Sequence, residues 1–172
     1  LSLDGRHAFG STAHRYVAGI DFARTDIEQS RDGQETNLAT GISTPVILGE
    51  RFPVRDFPPS VVDEVGLYAQ DEIAFDEGPW ALVLGLRWDR TQVDAQPDAT
   101  WIADNPGTSA VDLDDDQLTP RIGLRRDVGD AGSVWLTYTE GFRAPPFTDV
   151  NLGLNIPAFN YVALPNPDLE SE

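Results

Sequence analysis

Carboxylates are the side chains with the most obvious chemical potential in this sequence. A run of acids could bind calcium through clustered oxygens, although no glycine turn or distal glutamate completes an EF-type loop. The members of this run are Asp112, Asp114, Asp115 and Asp116. A solvated acidic loop is therefore the favoured interpretation. Asp71 and Glu72 are also adjacent, but on a strand they point to opposite faces and cannot act as a catalytic pair.

The sequence offers little else for catalysis. It contains no Gly-x-Ser-x-Gly elbow, no glycine loop for phosphate and no metal-binding spacing of histidines. The histidines are His7, near a predicted turn, and His14, at the start of a predicted strand, and turn and interface roles are expected for them. A formal net charge of -17 repels a phosphate backbone. We therefore expect a protein that is not an enzyme, has no cofactor and does not bind nucleic acid.

Alternation of apolar and polar residues with a period of two dominates the sequence and predicts β-strands. From Trp80 to Trp88 every second residue is Trp or Leu, and the residues between them are mixed. The two tryptophans would lie about 27 Å apart along a strand, or about 20 Å along the membrane normal at a tilt of about 40°. This spacing suits the aromatic girdles of a membrane barrel, to which we assign Trp80, Trp88, Tyr16 and Phe22.

Four further segments show similar alternation with varying clarity. They are Tyr16–Phe22, Val65–Phe75, Leu118–Val128 and Val134–Tyr138. In the second of them Asp71 falls on the otherwise apolar face. A bulge, or a position near a neighbouring subunit or loop, is the expected explanation.

The connections between these strands are short on one side and long on the other. Asp76–Pro79 and Gly129–Gly132 suit hairpin turns. The connections at roughly Ile27–Asp63 and Ala95–Asp116, and the tail after Gly141, are much longer than usual loops. This asymmetry is typical of an outer-membrane barrel. A soluble antiparallel sandwich is the alternative, but it usually keeps most connections short at both ends.

We therefore predict an all-β fold, an antiparallel up-and-down transmembrane β-barrel of which the chain supplies about five to six strands. Because the smallest membrane barrels use about eight strands, we expect this chain to be an internal piece of a larger barrel. The start at Leu1 and the absence of methionine agree with that expectation. No signal peptide opens the chain, and no apolar run approaches the roughly 18 residues of a membrane-spanning helix.

Two sequence boxes carry a resemblance to a known family. Glu140–Phe147 reads EGFRAPPF and Leu164–Glu172 reads LPNPDLESE. They resemble the FRAP and NPDL boxes of TonB-dependent outer-membrane receptors, most closely the haem, haemoglobin and related iron-source branch. In the second box glutamate and serine replace the lysine and proline of the family pattern. Tyr68–Ile73, Leu118–Leu124 and His14–Phe22 are similar to strands of these receptors and occur in the same order.

The resemblance implies a barrel of about 22 strands with a plugged lumen in the bacterial outer membrane. Residues 1–172 would form part of the barrel domain, and the plug domain and the segment that contacts the TonB complex would lie outside this chain. Such a receptor binds a scarce small-molecule or haemoprotein ligand outside and imports it with TonB-coupled energy, in contact with outer-membrane lipid. Haem or another iron source is the expected cargo, transported and not held as a cofactor. A ferric-siderophore or cobalamin receptor, or a passive porin or structural barrel, are the alternatives.

The two boxes also suggest residues that contact cargo, namely Phe142, Arg143, Phe159, Tyr161, Asn166 and Asp168. Haem-branch receptors usually carry a histidine between the boxes, and this sequence has none there. Tyr161 could ligate haem iron, although packing within its loop or stacking on a ligand is its more ordinary role. Arg143 could bind a ligand carboxylate, or it could pair with lumenal acids and hold the loop root, which we favour. Asn166-Pro167 predicts a turn before the next strand.

Overall fold

The protein is a β-sheet structure with two short helices, and the computed structural model describes residues 1–76, 78–166 and 168–172. The strands, in chain order, are β1 (Ser2–Phe9), β2 (Thr12–Ile27), β3 (Glu35–Thr36), β4 (Ser43–Thr44), β5 (Val46–Ile47), β6 (Glu50–Arg51), β7 (Ser60–Phe75), β8 (Trp80–Ala95), β9 (Leu113–Asp127), β10 (Ser133–Thr139), β11 (Leu154–Ile156) and β12 (Tyr161–Ala163). The helices are α1 (Ala99–Asp104) and α2 (Phe147–Asn151). Within the described ranges, no helix has the length and hydropathy needed to cross a membrane.

Six of these strands form one open antiparallel sheet in the order β1-β2-β7-β8-β9-β10. The connections at residues 10–11, 76–79 and 128–132 lie at one end of this sheet. The connections at residues 28–59 and 96–112, and the segment that follows β10, lie at the other end. The predicted up-and-down sheet, with short turns at one end and long loops at the other, is confirmed.

The two faces of the sheet differ in polarity, because the strand register keeps the alternating residues aligned. Leu82 is opposite Ile73 on β7 and Leu124 on β9. We call the side that carries them the apolar face; its other large members include Ile20, Phe22, Leu67, Trp80, Leu84, Leu86, Trp88, Leu118, Ile122, Leu136 and Tyr138. We call the opposite side the polar face; it carries Arg15, Asp21, Tyr68, Gln70, Glu72, Arg87, Asp89, Arg121 and Arg125.

The apolar face has no second layer of protein over it in the part of the chain that the structure describes. Leu84, Leu86 and Ile122 lie in the middle of the sheet, yet 42%, 49% and 50% of their surfaces are exposed. A sandwich would bury such residues between two sheets. The sandwich alternative is therefore wrong.

The strands extend beyond the predicted segments at the end that carries the long loops. β8 continues past Trp88 to Ala95, and β9 begins at Leu113. The strands continue past the end of the apolar alternation because ladder hydrogen bonds require only the backbone. The interpretation of Asp112–Asp116 as a solvated loop is therefore wrong for most of its length, since Asp114, Asp115 and Asp116 lie on β9.

The apolar alternation did not predict the first strand, β1. With β1 the sheet has six strands, which is the upper number predicted. Its face toward the apolar side carries Leu3, Gly5, His7 and Phe9, so polar and small residues interrupt the pattern. Gly5 is opposite Tyr16 on β2, and a Cβ atom at this glycine would overlap the tyrosine ring. The weak alternation of β1 therefore follows from close packing against its neighbour.

Asp71 lies on the apolar face because it is paired with His14, and no bulge is present. The registers of β2 with β7 and of β7 with β8 run unbroken through Asp71. His14 Nδ1 is 2.7 Å from Asp71 Oδ2, and His14 Nε2 is 3.0 Å from Thr12 Oγ1. The bulge explanation for Asp71 is therefore wrong, and His14 lies at the start of β2, as the sequence predicted.

The Thr12 hydroxyl links this pair to the backbone. It donates to the Phe9 carbonyl at 2.8 Å, and its oxygen lies 3.0 Å from His14 Nε2. A hydrogen-bonded partner lowers the cost of placing an acid on an apolar surface.

A small core lies among the long connections, at one end of the sheet. The residues with almost no exposed surface are Val54, Pro58, Trp101, Val150 and Asn151. α1 brings Trp101 into this core, and Asp98 caps its start by accepting from the Trp101 backbone N–H at 2.9 Å. Phe57 and Phe147 add an edge-to-face contact with centroids 6.1 Å apart. The long connections therefore pack on one another and are not independent loops.

Candidate functional site

An ion cluster centred on Arg87 lies on the polar face, toward the long connections. Arg87 Nε donates to both carboxylate oxygens of Asp89 at 2.8 Å, and Nη1 donates to Asp21 Oδ2 at 3.0 Å. The guanidinium also lies 5.7 Å from the ring centroid of Tyr68. Two carboxylates and an aromatic ring hold the planar guanidinium of Arg87 in one orientation. Arg87 is thus a fixed element of the wall.

Two glycines make room for the large side chains of this cluster. Gly66 is opposite Asp89, and a Cβ atom there would overlap Arg87 Nη2. Gly19 is opposite Tyr68, and a Cβ atom there would overlap the phenol group. Glycine at these strand positions permits close approach of a neighbour.

The segment that follows β10 folds back over the polar face and forms one side of a half-open cavity of about 610 Å³. One wall consists of β2, β7 and β8 around Asp21, Gly66 and Arg87, and the other consists of residues 142–147. Phe142 and Arg143, both selected from the sequence, line this cavity. The first box thus forms a site against the wall of the sheet.

Arg143 holds its segment through the backbone. Its N–H donates to the Glu172 carbonyl at 2.9 Å, and its carbonyl accepts from the Glu172 N–H at 3.0 Å. Among the residues that the structure describes, its guanidinium has no carboxylate within ion-pair distance. The backbone of Arg143 thus joins the two boxes, and the pairing of its side chain with lumenal acids stays a prediction.

The other four predicted contact residues lie apart from this cavity. Phe159 and Tyr161 belong to the β11–β12 hairpin region and are 73% and 52% exposed. Asn166 Oδ1 accepts from the Asp168 backbone N–H at 3.3 Å, and both residues are exposed. Pro167, the other residue of the predicted turn, lies outside the described residues. Whether any of these side chains meets cargo stays a prediction.

The four residues assigned to aromatic girdles share the apolar face but not the same rows. The register places Tyr16 opposite Asp71, which is opposite Leu84, midway between Trp80 and Trp88. Phe22 lies in the row of Val65 and Arg90, one step beyond Trp88. Arg126 lies over the Trp80 ring at 5.1 Å, and Trp88 Nε1 donates to Asp116 at 2.9 Å. Each tryptophan therefore carries a polar partner on its outer side.

The acidic run is occupied by protein donors. Asp114 accepts from Arg90 Nε at 2.9 Å, and Asp112 accepts from the Ala95 backbone N–H at 2.9 Å. Asp115 points to the face opposite Asp114 and Asp116, because it alternates with them on β9. Among the described residues no three His, Asp or Glu side chains converge in a way that could hold a metal. Asp112, Asp114 and Asp116 thus hold the ends of β8 and β9 together.

Arg55 ties the long connections together. Its side chain contacts Glu28 Oε1 at 2.6 Å and Asp98 Oδ2 at 2.9 Å, and its backbone N–H donates to Asp104 at 2.8 Å. The hydrogen bond to Glu28, with a further contribution from Asp98, raises the pKa of Arg55 above its usual value. Asn151 adds paired bonds to the Val111 backbone at 2.8 and 2.9 Å. The sequence analysis identified none of these contacts, because the partners are far apart in the chain.

Comparison with protein families identifies the chain's relatives. The family model described as "TonB dependent receptor-like, beta-barrel" matches residues 1–172. The chain belongs to this TonB-dependent receptor family. No curated protein sequence matches the chain. Proteins of this family are outer-membrane transporters, not enzymes, and they work with TonB.

Two solved structures share the fold of the chain. One is a double mutant of the Serratia marcescens hemophore receptor HasR in complex with its hemophore HasA and heme, with a TM-score of 0.66, 18% identity and 99% of this chain covered. The other is the copper transporter OprC, with a TM-score of 0.53, 16% identity and 87% of this chain covered. The chain spans 26% and 22% of those proteins. At this identity the likeness shows the fold alone.

Proposed function

We propose that this chain is part of the wall of an outer-membrane receptor that binds a scarce nutrient outside the cell and imports it with TonB-coupled energy. Haem or another iron source is the cargo in this proposal. The ligand is transported and is not a resident cofactor. The TonB complex would act through a region of the receptor outside this chain.

The observation that carries the proposal is the position of residues 142–147. This segment folds over the polar face and forms a half-open cavity with Asp21, Gly66 and Arg87. A passive porin requires an open aqueous lumen, whereas here the first box covers the wall. A cavity that combines aromatic, apolar and charged groups supports binding of a specific ligand.

The two similar solved structures suggest different cargoes. HasR was solved with its hemophore and heme, which favours haem or a haem-carrying protein. OprC is a copper transporter, and the segment between the boxes here contains no histidine. Exposed Phe159 and Tyr161 offer aromatic surface for stacking on a planar ligand. We therefore propose haem or another iron source as the cargo. A ferric siderophore or cobalamin is the alternative.

We also propose that the apolar face lies against lipid and that the polar face lines the lumen. Exposed leucines across β8 and β9 and an aromatic residue near each end of the β8 alternation support this orientation. Trp80, Trp88, Tyr16 and Phe22 would then contact the bilayer. Tyr16 would lie deeper in the bilayer than a girdle residue usually does.

Uptake by the intact receptor tests the function. A strain that lacks its own receptor gene and carries this one on a plasmid is supplied with haem, a ferric siderophore or cobalamin. Uptake is measured with and without a protonophore, and with and without TonB. The proposal expects TonB-dependent uptake of an iron source that stops when the proton gradient collapses. Uptake that persists without TonB and without the gradient would indicate a passive porin.

A further inference from the structure

The cavity beneath the first box has a polar half and an apolar half. Asp21, Arg87 and Asp89 lie in the polar half, on neighbouring strands. Val62 and Val93 are directly opposite each other on β7 and β8 and mark the other half, with Pro145 across from them. Val93 is 4% exposed and Pro145 is buried. A ligand that fills this space needs a charged part and an apolar part.

Most of the charges that line the cavity already have partners. Arg87 is saturated by Asp21 and Asp89, and Arg90 is bound by Asp114 on the other face of the sheet. These groups shape the cavity, but their hydrogen-bonding capacity is largely used. A ligand therefore gains little from them.

Three polar side chains in the lining remain available. Glu64 on β7, Thr91 on β8 and Arg143 on the covering segment have no side-chain hydrogen bond or ion pair within the part of the chain that the structure describes. Glu64 and Thr91 are opposite each other in the register, and Arg143 approaches from the other wall. The cavity thus offers a carboxylate and a hydroxyl on one side and a guanidinium on the other.

We propose that this cavity binds the zwitterionic part of a small amino-acid-like or peptide-like ligand. Glu64 and Thr91 receive its ammonium group, Arg143 binds its carboxylate, and Val62, Val93 and Pro145 contact its apolar part. The lining contains three acids and three arginines, so it provides no net field for a polyanion. A ligand with both charges and no net charge satisfies the free groups on both walls.

The inference rests on the proposed import function and narrows the cargo to an iron source with an amino-acid-like part. Binding to the purified intact receptor tests it, with the dipeptide Gly-Phe as the probe and saturation-transfer NMR or calorimetry as the measurement. We expect N-acetyl-Gly-Phe and Gly-Phe-amide to bind about 10-fold more weakly, because each loses one charge-assisted hydrogen bond.

Two variants assign the two ends of the probe. In Glu64→Gln the acetylated dipeptide should bind as well as the free one, and in Arg143→Gln the amide should bind as well as the free acid. The Arg143 backbone bonds to Glu172 remain in the second variant, so the segment keeps its place. Glu72→Gln, on the polar face of the same strand as Glu64 but outside the cavity, is the matched control and should keep both preferences.

Several results would overturn the inference. They are failure of Gly-Phe to bind, equal binding of all three dipeptides, and preferences that survive both variants. If haem displaces the dipeptide, and if only Arg143→Gln changes the preference for the free dipeptide, the cavity is an anion site instead. Energy-coupled uptake is measured separately, so its persistence beside a failed dipeptide test would refute only this inference, whereas its absence would refute the proposed function.

Discussion

The His14–Asp71 pair gives the sharpest prediction on stability. Asp71→Leu leaves His14 Nδ1 without its partner on the apolar face, and His14→Leu leaves the carboxyl group without its partner. A hydrogen bond to a charged group contributes about 1.5–3 kcal/mol. Because 27% of the His14 side chain and 33% of the Asp71 side chain remain exposed, we expect about 2 kcal/mol for each single variant.

The double variant distinguishes a bonded pair from two independent polar residues. Replacing both partners by apolar residues leaves no orphaned group, so His14→Leu with Asp71→Leu should be more stable than either single variant. If the double variant loses about 1 kcal/mol, the coupling free energy is about 3 kcal/mol. The assay is reversible chemical unfolding of the intact receptor in lipid vesicles, with the free energy obtained by linear extrapolation.

A matched control uses a residue of the apolar face outside this pair. Asp71→Leu combined with Leu124→Ala should give additive losses, because Leu124 lies on β9, two strands away from β7. If the His14 and Asp71 variants are also additive, the two side chains are not bonded in the receptor, and the explanation for an acid on this face fails.

Three further predictions concern the wall and the loops. Gly66→Ala should cost about 1 kcal/mol of unfolding free energy, because its Cβ atom displaces the end of Arg87, and it should cost nothing in an Arg87→Ala background. Trp101→Ala should lower the local unfolding free energy by about 3–5 kcal/mol, because Trp101 is 1% exposed. The measurement is protease protection, which should be lost at residues 96–112 while the sheet is unchanged. Arg55→Gln should release the same loops. Because the pKa of Arg55 is raised above its usual value, its stabilisation is present below the unfolded value and is lost only when the pH rises through the folded value in strong alkali. Wild-type protection should therefore be flat from about pH 5 to 9, and a decline there would contradict the assignment to Arg55.

The sheet was predictable from sequence wherever side chains report on two environments. β8 alternates cleanly from Trp80 to Trp88 because one of its faces is apolar and the other is mixed. The same signal fails for β1, where Gly5 makes room for Tyr16. It also fails beyond Trp88, where Arg90, Gln92 and Asp94 replace the apolar side chains but the backbone ladder continues.

The site was only partly predictable. The first box directed attention to Phe142 and Arg143, which do line the cavity. The partners of Arg87 could not be inferred, because Asp21 lies 66 residues away in the chain and reaches Arg87 only through the register. The Asp71–His14 bond spans 57 residues and has the same origin. A sequence pattern indicates which face a residue occupies, but contacts between strands depend on the register and on the three-dimensional fold.

The orientation of the sheet is the central claim, and spin-label accessibility along β8 tests it most directly. Single cysteines replace residues 82–87 one at a time in the intact receptor, reconstituted in lipid vesicles, and each is labelled. The account predicts high oxygen collision rates at Leu82, Leu84 and Leu86 and low rates at the positions between them, where contact with a polar nickel reagent should be higher. Uniform accessibility, or an alternation of the opposite phase, would contradict a wall with its apolar face in lipid.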